Sequence, residues 1–274
     1  MGRIGQKAFL PLALLALAGC ATNEITGRSQ LMVVPESMAI GSSATAYSSM
    51  MGQLDKKKQV ESQDTERAKR VNGITDRLVA QAIKFRPDSA SWKWEVRVIN
   101  DPKTINAFCM AGGKMAIYTG LLDQLKATDD EVAQVMGHEI SHALADHTRE
   151  RMSIAMTSQV GLELAAIALG GRQGAGLGLT GAQLAAVYAI QLPNSRESES
   201  EADRIGIELA ARAGYDPKAA VTLWEKMEKA SGKGPPQFLS THPSPQNRKE
   251  RLAQLGPQME PLYLEAKANP PANR

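Results

Sequence analysis

"TDDEVAQVMGHEISHALADH", Thr128 to His147, decides how the rest of the chain is read. Thr128 followed by Asp129, Asp130 and Glu131 is a capping box with acids in its first turn, so a helix starts here. Within that helix Val132, Met136, Ile140 and Ala143 fall on one arc. His138 and His142 sit four apart and leave the border of the arc in nearly one direction. Two imidazoles so placed can share a tetrahedral zinc ion. Glu139, about 100° round the helix from His138, reaches a zinc-bound water without becoming a ligand. The metal would polarise a scissile carbonyl and acidify the water, and the glutamate would take its proton. The competing reading is an exposed helix that carries two histidines and a glutamate by chance.

The chain has only 4 histidines, the other two being His147 and His242. A third histidine ligand six residues after His142, with a glycine between, is excluded because Thr148 and Ala145 hold those positions. His147 is therefore expected at the surface or the helix end, where its charge suits the C-terminal dipole. The third ligand must come from elsewhere, and a glutamate on a later helix is the natural alternative. "NSRESESEAD", Asn194 to Asp203, offers candidates. If Ser195 to Ala211 is one helix, Ala202, Ile205 and Leu209 form its buried stripe. Glu199 then lies about 60° from the centre of the apolar arc, Glu201 about 100° and Glu197 about 140°. Glu199 faces inward best. Asp203, one turn later, can accept a hydrogen bond from the outer nitrogen of a metal-bound histidine and fix its tautomer. Glu197 and Glu201 are expected in water, pairing with Arg196 or Arg204.

The first twenty residues, "MGRIGQKAFLPLALLALAGC", carry Arg3 and Lys7, then an apolar run from Ala8 to Ala18, the pattern of a secretory signal. That run is too short for the ~20 residues of a spanning helix. "LAGC" resembles the lipobox of bacterial lipoproteins, which implies removal of residues 1–19 and lipid on Cys20, enough for stable membrane attachment. Ala21 and Thr22 lack the aspartate that retains such proteins at the inner membrane, so the expected place is the outer membrane, facing the periplasm. Loss of Arg3 and Lys7 leaves a net charge near +1, which argues against a nucleic-acid partner. Cys109 is then the only thiol besides the lipidated one, no disulfide can form within the chain, and a small buried residue in a strand is the expectation for it.

The expected organisation is a tether over 20–30, one metallopeptidase domain over 31–256 and a flexible tail over 257–274. An amphipathic helix is expected around Met38 to Met51 and a core-facing one over Thr65 to Lys84. "SWKWEVRVIN" alternates like a half-buried strand, and "INAFCMAGGKMAIYTG" reads as two strands joined at Gly112-Gly113. Val160 to Leu192 suggests a mobile flap or helical hairpin, with membrane contact as the alternative, although Gly170 to Gln173 interrupts the apolar run before about 20 residues accumulate. Its "GLGLTG" matches a dinucleotide pattern only formally, since no strand precedes it. Pro217 should open a further helix in which Val221, Trp224 and Met227 pack. The fold class is α+β, mainly helical, with a small antiparallel sheet or hairpin beside the histidine helix.

"HEISH" followed by "SRESESEADRIG" resembles metallopeptidase family 48, gluzincins that include HtpX-type and CAAX prenyl proteases. The resemblance covers roughly Glu24 to Gly256, "NEITGRSQLMVV" being similar to the family's opening segment. The family's HExxH and ExxAD motifs fall on His138, Glu139, His142 and on Glu199, Ala202, Asp203. This implies a gluzincin-type zinc peptidase with one zinc per chain. It also implies that the edge strand of the hairpin, Lys114, Met115, Ala116 and Ile117 with Asn106 nearby, holds substrate in extended form. "STHPSPQNR" is similar to a family loop near the metal, so His242 inherits one of two roles: oxyanion stabiliser, or latch on the open metal position. Arg248 would anchor that loop. Two departures stand out: Ala111 replaces a proline of the hairpin, and Asn194 replaces an aromatic residue. The implied function is a zinc endopeptidase acting on unfolded or misassembled envelope proteins. The alternatives are a chaperone-like or assembly-factor lipoprotein with a latched structural zinc, and a scaffold without metal.

Overall fold

The computed structural model describes residues 19–168, 180, 181, 183, 187–231, 236–243 and 247–271. A hairpin of β1 (Cys20–Thr22) and β2 (Ser29–Leu31) precedes α1 (Glu36–Lys56) and α2 (Glu66–Phe85). After a 3-10 turn come β3 (Glu95–Ile99), β4 (Ala107–Met110), β5 (Lys114–Tyr118) and α3 (Thr119–Gln124). The rest is helical: α4 (Asp129–Leu144), α5 (His147–Ala168), a π turn (Val187–Gln191), α6 (Arg196–Arg212), α7 (Ala219–Ala230), α8 (Gln237–Thr241) and α9 (Arg248–Ala268). The class is α+β and mainly helical, as expected.

Helix α4 is the axle. Its capping box is complete: Thr128 Oγ1 accepts from the Glu131 amide at 3.2 Å, and Glu131 Oε2 accepts from the Thr128 amide at 2.9 Å. Every residue from Glu131 to Leu144 is buried, so the single apolar arc understates the packing. Ala133, Gly137 and Ser141 keep the other faces thin, and α2, α6, α7 and β4 close around them. The tightest approach is to α6. A Cβ on Gly137 would stand 2.8 Å from Gly206 O, and one on Gly206 would stand 2.7 Å from the His138 amide nitrogen. Backbone therefore meets backbone at the residue next to the first histidine.

The sheet corrects two expectations. It is mixed, not antiparallel: β5 pairs antiparallel with β4 and parallel with β3, in the order β3-β5-β4. Lys114, Met115, Ala116 and Ile117 thus lie in the central strand, whose backbone is paired on both sides and has no free edge for a substrate. The alternating stretch around Trp94 fills the side that a lone hairpin would leave open. The outer side of β3 is covered too, by Glu61 N donating to Val98 O at 2.9 Å and Asn100 N donating to Gln59 O at 2.8 Å. The remaining edge is β4, against α4. The hairpin turn itself is as read, with Gly112 at φ 80 and Gly113 at φ 78, a region that L side chains avoid. Cys109 is buried within β4.

Both ends of the domain are more ordered than the sequence suggests. Residues 20–31 form a hairpin, not a loose tether, because Asn23 Nδ2 and Gln30 Nε2 both donate to Ala145 O, at 3.1 and 2.9 Å, beyond the end of α4. Residues 257–268 continue α9 rather than trailing off. Pro257 and Pro261 lie inside that helix, which buries Gly256 and Ala266 along its length. Pro217 sits in the turn before α7, which starts at Ala219. The flap expected from 160–192 and the "GLGLTG" stretch fall largely outside the described residues. Among the described residues no helix is long and apolar enough to cross a membrane.

Candidate metal centre

His138 and His142 of α4, Glu199 of α6 and His242 after α8 turn their donor atoms to one point, all within 4.8 Å of one another and all buried. His138 Nε2 lies 3.1 Å from His142 Nε2, 3.2 Å from His242 Nδ1 and 3.3 Å from Glu199 Oε2. Glu199 Oε1 is 3.3 Å from His142 Nε2 and 2.9 Å from His242 Nδ1. A tetrahedral ion with bonds of about 2.0–2.1 Å has donor–donor edges of roughly 3.3 Å. The donor set and its spacing fit such an ion.

The surroundings hold the donors in that state. Asp203 Oδ1 is 3.0 Å from His138 Nδ1. A carboxylate only accepts, so the imidazole proton belongs on Nδ1 and the Nε2 lone pair points to the centre. Arg248, buried, bonds both acids: Nη1 donates to Glu199 Oε2 at 3.0 Å and Nη2 to Asp203 Oδ1. Its guanidinium lies 3.7 Å from the Trp224 ring centroid, a cation–π contact that fixes the fork. Burial alone would raise Glu199, but His242 and His138 hold it well below the usual carboxylate range. Burial lowers the basicity of His138, yet Glu199 and Asp203 outweigh that and raise it to about 9. The pocket thus draws positive charge, from a proton or from a metal that displaces it. His142 is pushed well down, above all by burial, and stays neutral.

Glu139 lies on the far side of His242, its Oε1 3.3 Å from His242 Nε2. That oxygen is buried without a hydrogen-bond partner among the described residues. Burial raises its affinity for a proton, partly offset by His242 and His138, and a carboxylate shifted in that direction is a better proton acceptor than an exposed glutamate. His242 is set by its amide donating to Phe238 O at 2.8 Å and by its ring stacking on Phe238 at 4.3 Å. Asn194, where the sequence departs from the family, enters the cluster: its Nδ2 lies 3.4 Å from His142 Nε2 and 3.3 Å from His242 Nδ1. Asn106 is buried beside β4, with its Oδ1 unpartnered among the described residues. Cys20 is exposed in β1.

Two sequence expectations fail at this site. His147 is not on the surface; it is 1% exposed, with Nδ1 2.7 Å from His142 Nδ1. Glu201 is only partly in water and pairs with neither Arg196 nor Arg204; it takes His147 Nε2 at 2.8 Å and Arg28 Nε at 2.9 Å. The cause is a break between α4 and α5. Asp146 at φ 56 turns the chain back, so helical extrapolation beyond Leu144 places His147 wrongly. The β1–β2 hairpin then covers the face of α6 that carries Glu201. Nothing local in the sequence announces either event. Glu197 is exposed, as expected.

A family model described as Peptidase family M48 matches residues 65–255. Mitochondrial metalloendopeptidase OMA1 of Arabidopsis thaliana is 41% identical over 171 residues, covering 62% of this chain and 33% of that protein. Metalloendopeptidase OMA1, mitochondrial, of Homo sapiens is 31% identical over 243 residues, 85% of this chain and 45% of its own. Beta-barrel assembly-enhancing protease of Escherichia coli is 30% identical over 203 residues, 72% and 40% respectively. The chain spans from 33% to 45% of the length of these three relatives.

Proposed function

This chain belongs to peptidase family M48, and on that premise we propose that it is a zinc-dependent endopeptidase. The observation that carries the reading is the convergence of His138, His142 and Glu199 on one point with Glu139 alongside. A mixed histidine and carboxylate set at tetrahedral spacing suits zinc, one ion per chain. When bound, zinc would supply Lewis acidity to the scissile carbonyl and lower the pKa of water. Glu139 takes the proton of the attacking water and returns it to the leaving amine. Asp203 and Arg248 keep His138 and Glu199 in register throughout. The substrate lies extended along the outer edge of β4, Ala107 to Met110, which pairs with no further strand among the described residues, because β5 is closed to it and an edge reads backbone rather than side chains.

His242 fills the fourth corner of the donor set and separates Glu139 from it. In this reading His242 is a latch that leaves when substrate arrives. His242→Ala should keep its zinc and cleave an unfolded protein such as casein faster than wild type. Unchanged cleavage would remove any gating role for this histidine. The closed four-donor set also favours a second reading, an assembly-factor protein whose zinc is mainly structural. Glu139→Gln separates the two, since it should abolish a cellular function that depends on proteolysis and spare one that depends on binding.

The substrate class is unfolded or misassembled envelope proteins, and the location is the periplasmic face of the outer membrane, held by lipid on Cys20. Support comes from the lipobox-like "LAGC", the exposure of Cys20, and a relative named for enhancing β-barrel assembly. Labelling with a radioactive fatty acid should mark wild type and not Cys20→Ala.

A further inference from the structure

We propose that His147 is a positioning residue for the metal, acting through His142, and that the N-terminal hairpin reaches the metal ligand through Arg28, Glu201 and His147. The proposal rests on the metal-centre reading above and deepens it. The contacts form an unbroken line. Arg28, in the turn between β1 and β2, donates through Nη1 and Nη2 to both oxygens of Glu150, each at 2.6 Å, and through Nε to Glu201 Oε1 at 2.9 Å. Glu201 Oε2 lies 2.8 Å from His147 Nε2, and His147 Nδ1 lies 2.7 Å from His142 Nδ1. Gln30 Nε2 donates to Glu150 Oε2 at 3.0 Å and closes the outer end.

Proton counting along this line leaves one arrangement. Glu201 can only accept, so His147 Nε2 carries a proton. A neutral His147 then offers a lone pair at Nδ1. The short approach of the two Nδ1 atoms requires one proton between them, and His142 must supply it. His142 Nε2 is left as a bare lone pair aimed at the donor cluster, the tautomer a metal needs. On the other ligand Asp203 does the same directly. For His142 the carboxylate stands one imidazole further out, because α5 starts between it and the ligand. Both imidazoles are buried, so water cannot replace the missing partner if His147 is removed.

The test is zinc affinity by chelator competition on the purified full chain, read beside the melting temperature of the metal-free protein. His147→Leu should bind zinc about 10- to 100-fold more weakly than wild type. His147→Gln, whose carbonyl can accept from His142 and whose amide can donate to Glu201, should stay within about threefold. His147→Leu should also melt lower without metal, because it leaves His142 and Glu201 short of a buried partner, so the relay is read from the recovery of zinc affinity in His147→Gln, which a role in packing alone would not give. Glu201→Gln, isosteric and expected to fold, should lose about tenfold. Wild-type affinity in His147→Leu, equal losses in the Leu and Gln variants, or an unchanged Glu201→Gln overturns the relay. If wild type itself binds no zinc, the metal centre falls with it.

Discussion

Glu139 and Glu199 are carboxylates buried within the same cluster, yet their surroundings push them in opposite directions. Glu199 has His242 at 2.9 Å and Arg248 at 3.0 Å; Glu139 has one buried oxygen with no hydrogen-bond partner among the described residues. One is held ionised as a donor and the other is poised to take a proton. Glu139→Gln should therefore retain zinc and lose about 10²–10⁴-fold in peptide cleavage, measured by metal analysis and fluorogenic turnover on the same sample. Glu199→Gln should instead release the metal, and to a greater degree than Glu201→Gln. Angular position on α6 separated Glu199 from its neighbours because the helix is regular through Arg196–Arg212. The same method misjudged Glu201, because a helical wheel knows the residue's direction and not what lies there. His147 was illegible for a related reason, since it sits one residue past the reversal at Asp146.

At the scale of elements, the crossing of α4 and α6 sets the distance between the two motifs. Gly206→Ala would place a Cβ 2.7 Å from the His138 amide nitrogen and 2.8 Å from its Cα, backbone that cannot give way. It should cost about 1–3 kcal/mol of stability and weaken zinc binding. Gly73→Ala on α2, with nothing within 4 Å of the added methyl, should stabilise by roughly 0.5–1 kcal/mol; thermal melts of both variants make the comparison. The start of α4 carries a pH dependence. Burial alone would raise the Glu131 carboxyl, but Lys226, the Thr128 amide and Thr222 hold it below its ordinary value. A depressed folded-state pKa means the contribution is complete above the unfolded value of about 4.5 and is lost as pH falls through the folded one. Glu131→Gln should flatten the melting temperature profile below about pH 4.5. The capping box, the glycine turn and the helical periods were legible because each is a local rule. The place of β5 inside the sheet was not, since it depends on β3, a strand fifteen residues upstream, joining in parallel.

Across the whole molecule, distant segments of the chain converge on the metal centre. Arg28 near the N-terminus reaches Glu201, and Arg248 at the start of α9 grips Glu199 and Asp203. The hairpin and the last helix, read from sequence as tether and tail, are thus parts of the site's frame, and the expected domain limits of 31 and 256 cut through both. Neither stretch carries a local signal of this role, which comes from side chains that contact residues more than forty positions away. The central claim is that this frame holds one catalytic zinc. Its most direct test is the zinc content of the purified full chain and of Glu139→Gln, taken together with casein cleavage by each. The account predicts one zinc per chain in both proteins and cleavage by wild type alone. Absence of stoichiometric zinc from wild type, or cleavage that persists in Glu139→Gln, would contradict it.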